Sequence, residues 1–417
     1  MRLPHIVTDL PGPRAQAAIA ADGHVASRSL IKAYPLVVNR GEGMVIEDVD
    51  GNRFLDFMSG IAVTLTGHCH PEVVARIRGQ TERLLHICGT DFYYDTYTAL
   101  CTRLSALCPG EDAWRVYLGN SGAEAVEAAI KLARYHTGRA HLIAFEGAFH
   151  GRTYGAMSLT ASKAVQRAGF GPHLPGVHHV PYGAGIEHHL RGLFKRTVTP
   201  EEVAAIIVEP IQGEGGHRVP PPGFFAHLRT VCDEFGILLI ADEIQTGMGR
   251  TGTFFAMEQW DIVPDIITLG KGLGSGLPIS AMMAKDKVMT WPRGSHGSTF
   301  GGNPLACAAG LATLDLVEDN LMENAREMGA YVGAQLQMLA ARHDAISEVR
   351  GRGLMLALAF AEHGQAGTFE RNCFERGLLV LGCGNNAVRL APPMIVTHEA
   401  ADTAATIMDT VLTRGLG

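Results

Sequence analysis

A single lysine within a glycine-rich segment is the first residue whose type and position suggest chemistry. In "DIITLGKGLGSGLP", at residues 265–278, an apolar and β-branched run ends in a glycine directly before Lys271, and three further glycines follow. Glycine permits the close approach of another backbone or of a ligand. A lysine amine in a partly desolvated pocket near another cation has a lowered pKa and can act as a nucleophile. The segment therefore predicts a reactive amine at the end of a buried strand.

Two acids end a second apolar strand in the segment "ILLIADEIQTGMGRTG". Asp242 and Glu243 follow the apolar run "ILLIA", and a carboxylate in that position is costly unless it meets a cation or several hydrogen-bond donors. Two roles fit Asp242, a metal ligand or the partner of a protonated ring nitrogen. Asp242 and Lys271 both follow strands and are one βα unit apart, so a parallel sheet would place them on the same edge.

A helix N-terminus follows a third strand, in "YLGNSGAEAVEAAIKLAR". Ser121 and Glu124 have the spacing of a capping box, and Gly122 leaves backbone N–H groups open at the positive end of the helix dipole. This end suits a phosphate, although an ordinary capped helix is the alternative. A phosphate, a ring nitrogen that needs a carboxylate and an aldehyde that forms an imine with lysine occur together in pyridoxal 5′-phosphate (PLP). The three segments together predict that cofactor.

Nucleotide-binding alternatives match the sequence less well. The segment "GMGRTG", at residues 247–252, has the spacing G-x-G-x-x-G, but a dinucleotide fold requires a helix directly afterwards and an acid about 20 residues later. Here "TFFAMEQWDIV" follows, and the acids precede the glycines. The phosphate-loop pattern is absent at Lys271 because Gly272 stands where Ser or Thr belongs. A nucleotide-dependent oxidoreductase remains a distant alternative.

The composition narrows the class of protein. A net charge of −7 over 417 residues excludes a generally basic nucleic-acid binder and a polybasic membrane patch. No apolar run approaches the ~18 residues that cross a bilayer. The eight cysteines are dispersed without a C-x-x-C pair, and the N-terminus does not resemble a signal peptide. No metal site is expected, since "GHCHP" is typical of a loop. We expect a cytoplasmic enzyme.

The order of strands and helices predicts an α/β protein. From about residue 115, short apolar runs alternate with amphipathic helices, which predicts a mostly parallel sheet. An N-terminal hairpin around Asp50 and Gly51 is expected to pack with a smaller C-terminal α+β unit. The predicted division is an N-terminal part of the small domain at 1–74, a large cofactor-binding domain at 75–318 and the C-terminal small domain at 319–417.

Six motifs taken together resemble one family. The motifs "GNSGAEAVEAAIKLAR", "AFHGRT", "VEPIQGEGG", "DEIQTGMGRTG", "GKGLGSGLP" and "STFGGNPLA" resemble the class III aminotransferases, which are PLP-dependent enzymes of fold type I. The 4-aminobutyrate and acetylornithine aminotransferases are the nearest sub-group, and broad-substrate amino-acid racemases share the architecture. The resemblance implies a large domain with a mostly parallel central sheet, a smaller α+β domain from the N- and C-terminal segments, and a homodimer with a shared active site.

The resemblance also implies the cofactor contacts. Lys271 matches the lysine that forms the imine and moves the substrate proton, and Asp242 matches the carboxylate that faces the pyridine nitrogen. Gln245 matches the residue that bonds the phenolic oxygen of the ring. The other implied contacts are the phosphate cup Ser121, Gly122 and Ala123, the ring-packing residues Ile244 and Phe149, and Thr299, which reaches the phosphate of the neighbouring subunit.

Two arginines define the implied substrate class. Arg152 matches an arginine that binds the carboxylate of the amine donor, and Arg389 matches one that binds the α-carboxylate of glutamate or 2-oxoglutarate. Glu214 matches the acid that covers Arg389 when the other substrate is bound. The resemblance also places Ile61 at the substrate, and it places Glu209 and His150 behind the cofactor contacts.

The expected reaction moves an amino group from an ω-amino acid such as 4-aminobutyrate to 2-oxoglutarate, which gives an aldehyde and glutamate. The partners are therefore small amino acids and 2-oxo acids. Acetylornithine or ornithine as the donor is an alternative. Racemisation on the same scaffold is another, although it needs a second proton donor that the sequence does not identify. A cofactor-binding protein without turnover is disfavoured by the complete residue set.

Overall fold

The computed structural model describes residues 3–416, in which fifteen strands form three sheets. The strands are β1 (Val38–Glu42), β2 (Val45–Asp48), β3 (Arg53–Asp56), β4 (Trp114–Gly119), β5 (His141–Phe145), β6 (Val177–Val180), β7 (Val203–Val208), β8 (Leu238–Asp242), β9 (Ile266–Leu269), β10 (Ser280–Lys285), β11 (Ile346–Arg352), β12 (Met355–Phe360), β13 (Leu378–Leu379), β14 (Leu381–Cys383) and β15 (Ala387–Leu390). The helices are Pro13–Val25, Pro71–Thr81, Asp95–Leu107, Gly122–Thr137, Tyr154–Leu159, Ile186–Arg196, Phe224–Phe235, Pro304–Leu316, Met322–Arg342, Gln365–Phe374 and His398–Thr413.

The largest sheet has seven strands in the order β4-β10-β9-β8-β7-β5-β6. Only β10 runs against its neighbours, so the other six strands share one direction. Strands β7, β8 and β9 are buried along their whole length, as strands covered on both faces are. Helix Gly122–Thr137 packs on one face, and Phe224–Phe235 packs on the other. The predicted α/β class with a mostly parallel sheet is confirmed.

The two smaller sheets join the ends of the chain. The hairpin predicted around Asp50 and Gly51 is present as β2 and β3, which pair antiparallel. Strand β13 pairs parallel to β3, with Leu378 opposite Leu55, so the N- and C-terminal segments pack together as expected. The third sheet has the order β11-β12-β15-β14. The domain boundaries given above remain a proposal.

Two elements differ from the sequence expectation. The segments "NPLACAAGLATLDLVEDN" and "LMENAREMGAYVGAQLQMLAARHD" predict two consecutive helices after residue 302, but a π-helical turn at Val317–Leu321 joins them into one continuous helical segment. The sequence has neither Gly nor Pro over residues 311–328, so nothing there interrupts the backbone hydrogen bonding. Strand β6 was not predicted, because its four residues "VHHV" carry two histidines in place of an apolar run.

Candidate active site

Functional side chains gather at one edge of the seven-stranded sheet. Strands β4, β5, β7, β8 and β9 all end on this edge. Asp242, the last residue of β8, stands opposite Thr268 of β9, and the Thr268 hydroxyl donates to Asp242 Oδ1 at 3.3 Å. Lys271 lies three positions beyond Thr268, where β9 gives way to a short 3₁₀ turn at Lys271–Gly274. The structure therefore brings Asp242 and Lys271 together.

The Lys271 amine lies in an enclosed and highly charged setting. Burial lowers its pKa, and the positive charge of Arg389 acts in the same direction. The carboxylates of Asp242, Glu209 and Glu214 oppose the shift but do not reverse it. The backbone at Lys271 has φ +38°, a left-handed conformation that costs energy for a residue with a side chain. An amine of lowered pKa in a strained position suits a nucleophile or a proton acceptor.

Asp242 is held by several hydrogen-bond donors. Its Oδ2 lies 2.6 Å from His150 Nδ1, and its Oδ1 also accepts from the Ile244 backbone N–H at 3.1 Å. His150 and Asp242 are both buried. Burial alone would lower the pKa of His150, but the hydrogen bond and the negative charge of Asp242 outweigh it and raise that pKa. These contacts fix the carboxylate and provide the polar partners that a buried charge needs.

Glu209 links two loops behind this pair. Its Oε1 accepts from the backbone N–H of Phe149 and its Oε2 from that of Gly213, both at 2.9 Å. Burial raises the pKa of Glu209 to about 7. Glu209 thus holds the loop that carries Arg152 beside the loop that carries Glu214.

The helix N-terminus after β4 is open. Ser121 is exposed, and its hydroxyl accepts from the Glu124 N–H at 3.3 Å. The Glu124 carboxylate does not return to the backbone of Ser121 but accepts from the Asn120 N–H at 2.7 Å. The capping box suggested by the spacing is therefore only half formed. The first turn of Gly122–Thr137, a helix of 16 residues, consequently presents an exposed positive end.

Close glycine contacts join this helix end to the other two segments. A Cβ placed on Gly122 would lie 2.8 Å from Ile244 Cδ1, and one placed on Gly270 would lie 3.4 Å from the Gly122 Cα. On another side, a Cβ placed on Gly151 would lie 2.8 Å from that of Ala123. The open helix end therefore borders the same cleft as the segments that carry the Asp242 carboxylate and the Lys271 amine.

Arg152 and Phe149 border the same cleft. The guanidinium carbon of Arg152 lies 5.7 Å from the centroid of the Phe149 ring, a cation–π arrangement. Arg152 is exposed, whereas the neighbouring His150 is buried. The Arg152 guanidinium is therefore directed to solvent, where a substrate anion can reach it.

A second arginine is paired with an acid from a distant part of the chain. Arg389, on β15, donates from Nη1 to Glu214 Oε1 at 2.6 Å, and only 5% of its side chain is exposed. The Glu214 carbonyl accepts from the Gly384 N–H at 2.8 Å, which holds this loop on the turn between β14 and β15. Although burial raises the pKa of Glu214, its attraction to Arg389 is stronger and lowers it. The Glu214 carboxylate therefore stays ionised at neutral pH.

The turn that carries Ile61 is strained. Ser59, Gly60, Ile61 and Ala62 have φ values of 44°, 59°, 67° and 60°, so four consecutive residues are left-handed. This conformation is unfavourable for L-residues other than glycine, and such strain is common at functional sites. The turn packs against Lys271–Gly274, and Ile61 is 41% exposed. The turn that carries Ile61 therefore lies next to the segment that begins with Lys271, and the Ile61 side chain is accessible.

The side chains of the cleft suit a phosphorylated pyridine aldehyde. An exposed helix end can hold a phosphate, a donor-bound carboxylate can face a ring cation, and an amine of lowered pKa can bond a carbonyl carbon. No group of three or more His, Cys, Asp or Glu side chains is placed to hold a metal ion within residues 3–416. Over the same residues, no helix has both the length and the apolar character of a bilayer-spanning segment.

Comparison with known proteins decides the family. The family model for class III aminotransferases matches residues 27–412. The chain belongs to this family. A 4-aminobutyrate aminotransferase of Mycobacterium tuberculosis is 39% identical to this aminotransferase and aligns over 98% of the chain and 97% of its own length. An acetylornithine aminotransferase of Methanopyrus kandleri is 44% identical over 89% and 92% of the two chains, and an alanine/serine racemase of Pyrococcus horikoshii is 36% identical over 98% and 92%.

Solved structures agree with the class III aminotransferase fold. The ornithine aminotransferase of Toxoplasma gondii superposes with a TM-score of 0.89 at 33% identity and covers 97% of this chain and 96% of its own. A PLP-bound amine transaminase from an uncultivated Pseudomonas species superposes with a TM-score of 0.85 at 31% identity, over 94% and 98% of the two chains. The expected fold type I architecture is confirmed.

The glycines of residues 247–252 have a structural role in this aminotransferase. Turns occupy the segment, and only a short 3₁₀ helix at Ala256–Trp260 follows. Arg250, in the middle, is fully buried and donates to the carbonyls of Leu354 and Pro392. Arg250 therefore connects the segment at 247–252 to the C-terminal part of the chain. These turns do not form a dinucleotide-binding loop, and membership of the class III aminotransferases excludes the oxidoreductase alternative.

Three side chains near the site were missed in the sequence. Thr268 bonds Asp242, Arg250 is a buried connector, and His217 is fully buried beside Gln245. A threonine within the apolar run "IITL" was the only sequence signal for Thr268. Nothing in the local pattern marked the other two, because their partners are 28 to 142 positions away.

Thr299 lies on the surface of the chain. It is exposed, and its neighbour Ser298 accepts a hydrogen bond from the Asn120 amide at 3.0 Å, next to the open helix end. Ser298 is thus held beside the open helix end, and the next residue is exposed. The role of Thr299 in a neighbouring subunit stays a prediction.

Proposed function

We propose that this aminotransferase moves an amino group from a donor that carries both a primary amine and a carboxylate, such as 4-aminobutyrate, to 2-oxoglutarate, giving an aldehyde and glutamate. The ion pair between Arg389 and Glu214 carries the proposal. When Glu214 turns away, Arg389 can bind the α-carboxylate of 2-oxoglutarate in two parallel hydrogen bonds. When Glu214 covers Arg389, the same pocket accepts a donor that lacks that group.

The cofactor is pyridoxal 5′-phosphate, which when bound supplies a carbonyl for the amine and a ring that withdraws electrons. Lys271 would bond the cofactor in the resting enzyme and would move the substrate proton, a role favoured by burial, which lowers the pKa of its amine and eases release of the proton. Asp242 would face the ring nitrogen, where its negative charge would favour the protonated form. His150, bonded at 2.6 Å, orients the Asp242 carboxylate.

The other predicted residues have positioning roles in this proposal. Gln245 bonds the ring oxygen, while Glu209 holds the two loops that carry the substrate arginines. Arg152 binds the carboxylate of the donor, and Ile61 borders its apolar part. The phosphate contacts are Ser121, Gly122 and Ala123, and the two faces of the ring pack on Ile244 and Phe149.

We further propose that the enzyme works as a homodimer in which Thr299 reaches the phosphate of the second copy. Large apolar side chains near this segment are open to solvent, with exposed fractions of 57% for Leu85, 55% for Phe92, 95% for Tyr93 and 61% for Phe300. Grouped apolar side chains of this size mark an interaction surface. Light scattering on the full chain should give twice the mass of one chain, and a monomeric active enzyme would contradict this assignment.

Substitution of Glu214 by Gln should change one half-reaction more than the other. Loss of the negative charge leaves Arg389 buried without its partner when 4-aminobutyrate is bound, so kcat/KM for that donor should fall about 10- to 100-fold. The half-reaction with 2-oxoglutarate, in which Arg389 binds a carboxylate of the substrate, should change by less than about threefold. Stopped-flow absorbance of the bound cofactor measures each half separately.

Glu348→Gln is the matched control for this variant. Glu348 also accepts from an arginine at 2.6 Å, but 56% of its side chain is exposed, so loss of the pair should alter neither half-reaction. An equal fall in both half-reactions of Glu214→Gln would argue against the alternation between Glu214 and a substrate carboxylate.

Substitution of Arg152 by Lys should slow the reaction of donors that carry a carboxylate more than that of donors that lack one. Lysine keeps the positive charge but lacks the planar fork, so kcat/KM for 4-aminobutyrate should drop about 10- to 100-fold. A plain alkylamine donor has no carboxylate and should react at a rate close to that of the wild type. If both donors lost activity equally, Arg152 would have a structural role instead.

A donor panel tests the proposed function. Purified enzyme with PLP is incubated with 2-oxoglutarate and either 4-aminobutyrate, acetylornithine or ornithine, and glutamate is measured. Acetylornithine is the second candidate donor, favoured by the relative at 44% identity. No glutamate with any donor would overturn the proposal. Interconversion of the enantiomers of one amino acid without any keto acid would instead indicate a racemase, the activity named for the Pyrococcus horikoshii relative.

A further inference from the structure

A buried histidine joins Gln245 to the smaller sheet. His217 follows the loop that carries Glu214, has no exposed surface and has φ +50°, in the left-handed region. Its Nδ1 lies 2.9 Å from the Leu356 carbonyl oxygen of β12, and its Nε2 lies 3.3 Å from Gln245 Oε1. Both ring nitrogens are therefore bonded, and the ring cannot turn without losing two contacts inside the protein.

These contacts fix the location of the ring proton. A carbonyl oxygen only accepts hydrogen bonds, so His217 Nδ1 carries the hydrogen and donates it to Leu356. Burial and the nearby charge of Arg389 lower the pKa of His217 to about 3, while Glu214 acts weakly in the opposite direction. The imidazole is therefore neutral, and its Nε2 is an acceptor that needs a donor.

The acceptor in turn fixes the side-chain amide of Gln245. The oxygen and nitrogen of an amide have nearly the same shape, so the hydrogen-bond network decides between the two orientations. Two acceptors cannot form a hydrogen bond, so an Nε2 acceptor requires the Gln245 amide in the flipped orientation, with its nitrogen in the position assigned to Oε1. The same nitrogen has a second hydrogen, and Gln245 keeps a small exposed fraction of 9%.

We propose that His217 is a positioning residue that holds the amide nitrogen of Gln245 in place, so that its second hydrogen can be donated to the ring oxygen of the cofactor. This inference rests on the proposed function in one respect, which is that Gln245 contacts the cofactor. The partner carbonyl belongs to β12, in which Ala357 pairs with Arg389 of β15. The sheet that binds the substrate carboxylate therefore also supports a cofactor contact.

The first test needs no cofactor. In the chain labelled with ¹⁵N-histidine and stripped of PLP, the His217 signal should show a protonated Nδ1 and an unprotonated Nε2, and it should not titrate across the neutral pH range. The signal is assigned by its loss in His217→Leu or His217→Gln. A protonated Nε2, or titration near the usual histidine pKa, would overturn the inference even if the enzyme is a fully active aminotransferase.

The second test uses the absorbance of the bound cofactor. His217→Leu removes the acceptor, so the pH midpoint of the visible band should rise by about one unit, because the ring oxygen loses a donor and holds the neighbouring proton more tightly. The Kd for PLP should increase about three- to tenfold. His217→Gln imposes the same left-handed strain but can accept from Gln245 and donate to Leu356, so its midpoint should remain near that of the wild type.

A double-mutant cycle tests whether His217 shifts the pH midpoint through Gln245. In a Gln245→Leu background the further change His217→Leu should leave the midpoint unchanged, since the positioned amide is already gone. An equal shift in both backgrounds, or an equal shift in His217→Leu and His217→Gln, would show that His217 acts through packing and would overturn the inference. If the wild type forms no visible band with PLP, the proposed function fails, whereas the tautomer measured by NMR still tests the contact between His217 and Gln245.

Discussion

Replacement of Lys271 by alanine should lower the rate of amino transfer by at least about a thousandfold, because one positioned acid–base group contributes 10²- to 10⁴-fold and Lys271 also bonds the cofactor. The amine lies in an enclosed cleft where burial lowers its pKa. Nothing else at the end of β9 can replace it, since Gly270 precedes it and Gly272 follows it. The loss should appear in both half-reactions, because each needs the same proton transfer.

Lys271→Arg is the control for charge. Arginine keeps a positive charge in the cleft but does not release its proton near neutral pH, so this variant should be nearly as inactive as Lys271→Ala. Single-turnover rates of both variants with 4-aminobutyrate measure the effect. A Lys271→Ala variant that kept about a tenth of the wild-type rate would be inconsistent with a proton-transfer role for Lys271.

Substitution of Asp242 by Asn should have the second-largest effect, a fall of about a thousandfold in kcat. An ion pair at ~4 Å in an effective dielectric of ~20 is worth about 4 kcal/mol, and loss of that energy from the transition state corresponds to about three decades in rate. Asparagine can still accept from the Ile244 N–H and from Thr268, which now bond Oδ1 at 3.1 and 3.3 Å. The fold should therefore persist.

The adjacent acid provides the control for Asp242→Asn. Glu243 is also buried, but its carboxylate accepts from the Met257 N–H at 2.9 Å and from the Thr246 hydroxyl, away from the Asp242 contacts. Burial raises the pKa of Glu243 to about 7, so this group is only partly ionised near neutral pH, and Glu243→Gln should change kcat by less than about threefold. Similar losses in Asp242→Asn and Glu243→Gln would mean that general disruption, and not the ring nitrogen, explains the first.

The pairing of Asp242 with the lysine segment was predictable because both residues end strands of one parallel sheet. Parallel strands place their carboxyl ends on one edge, so local patterns at 238–242 and 266–271 were sufficient. The open helix end after β4 was found in the same way. In each case the functional residues lie within a few positions of a segment whose sequence clearly predicts a strand.

Contacts between distant segments were not predictable from pattern alone. Arg389 and Glu214 are 175 positions apart, and His217 and Leu356 are 139 positions apart. Only the packing of the small sheet on the loop after β7 brings them together. The resemblance to a family supplied Arg389 and Glu214, but it supplied no role for His217.

The left-handed turn at Ser59–Ala62 shows a second limit of the sequence. Only Gly60 suggests a positive φ there, whereas Ile61 and Ala62 have side chains that oppose one. Tertiary packing against Lys271–Gly274 holds the conformation in spite of local preference. A strained turn of this kind follows from the folded environment, and no local propensity reveals it.

Covalent labelling gives the most direct test of the central claim, that Lys271 bonds the cofactor beside Asp242. The full chain is loaded with PLP, reduced with borohydride, digested and analysed by mass spectrometry. The peptide that contains Lys271 should carry the added pyridoxyl phosphate mass, and peptides with other lysines should not. A label on another lysine, or an unmodified Lys271 peptide from active enzyme, would contradict the account.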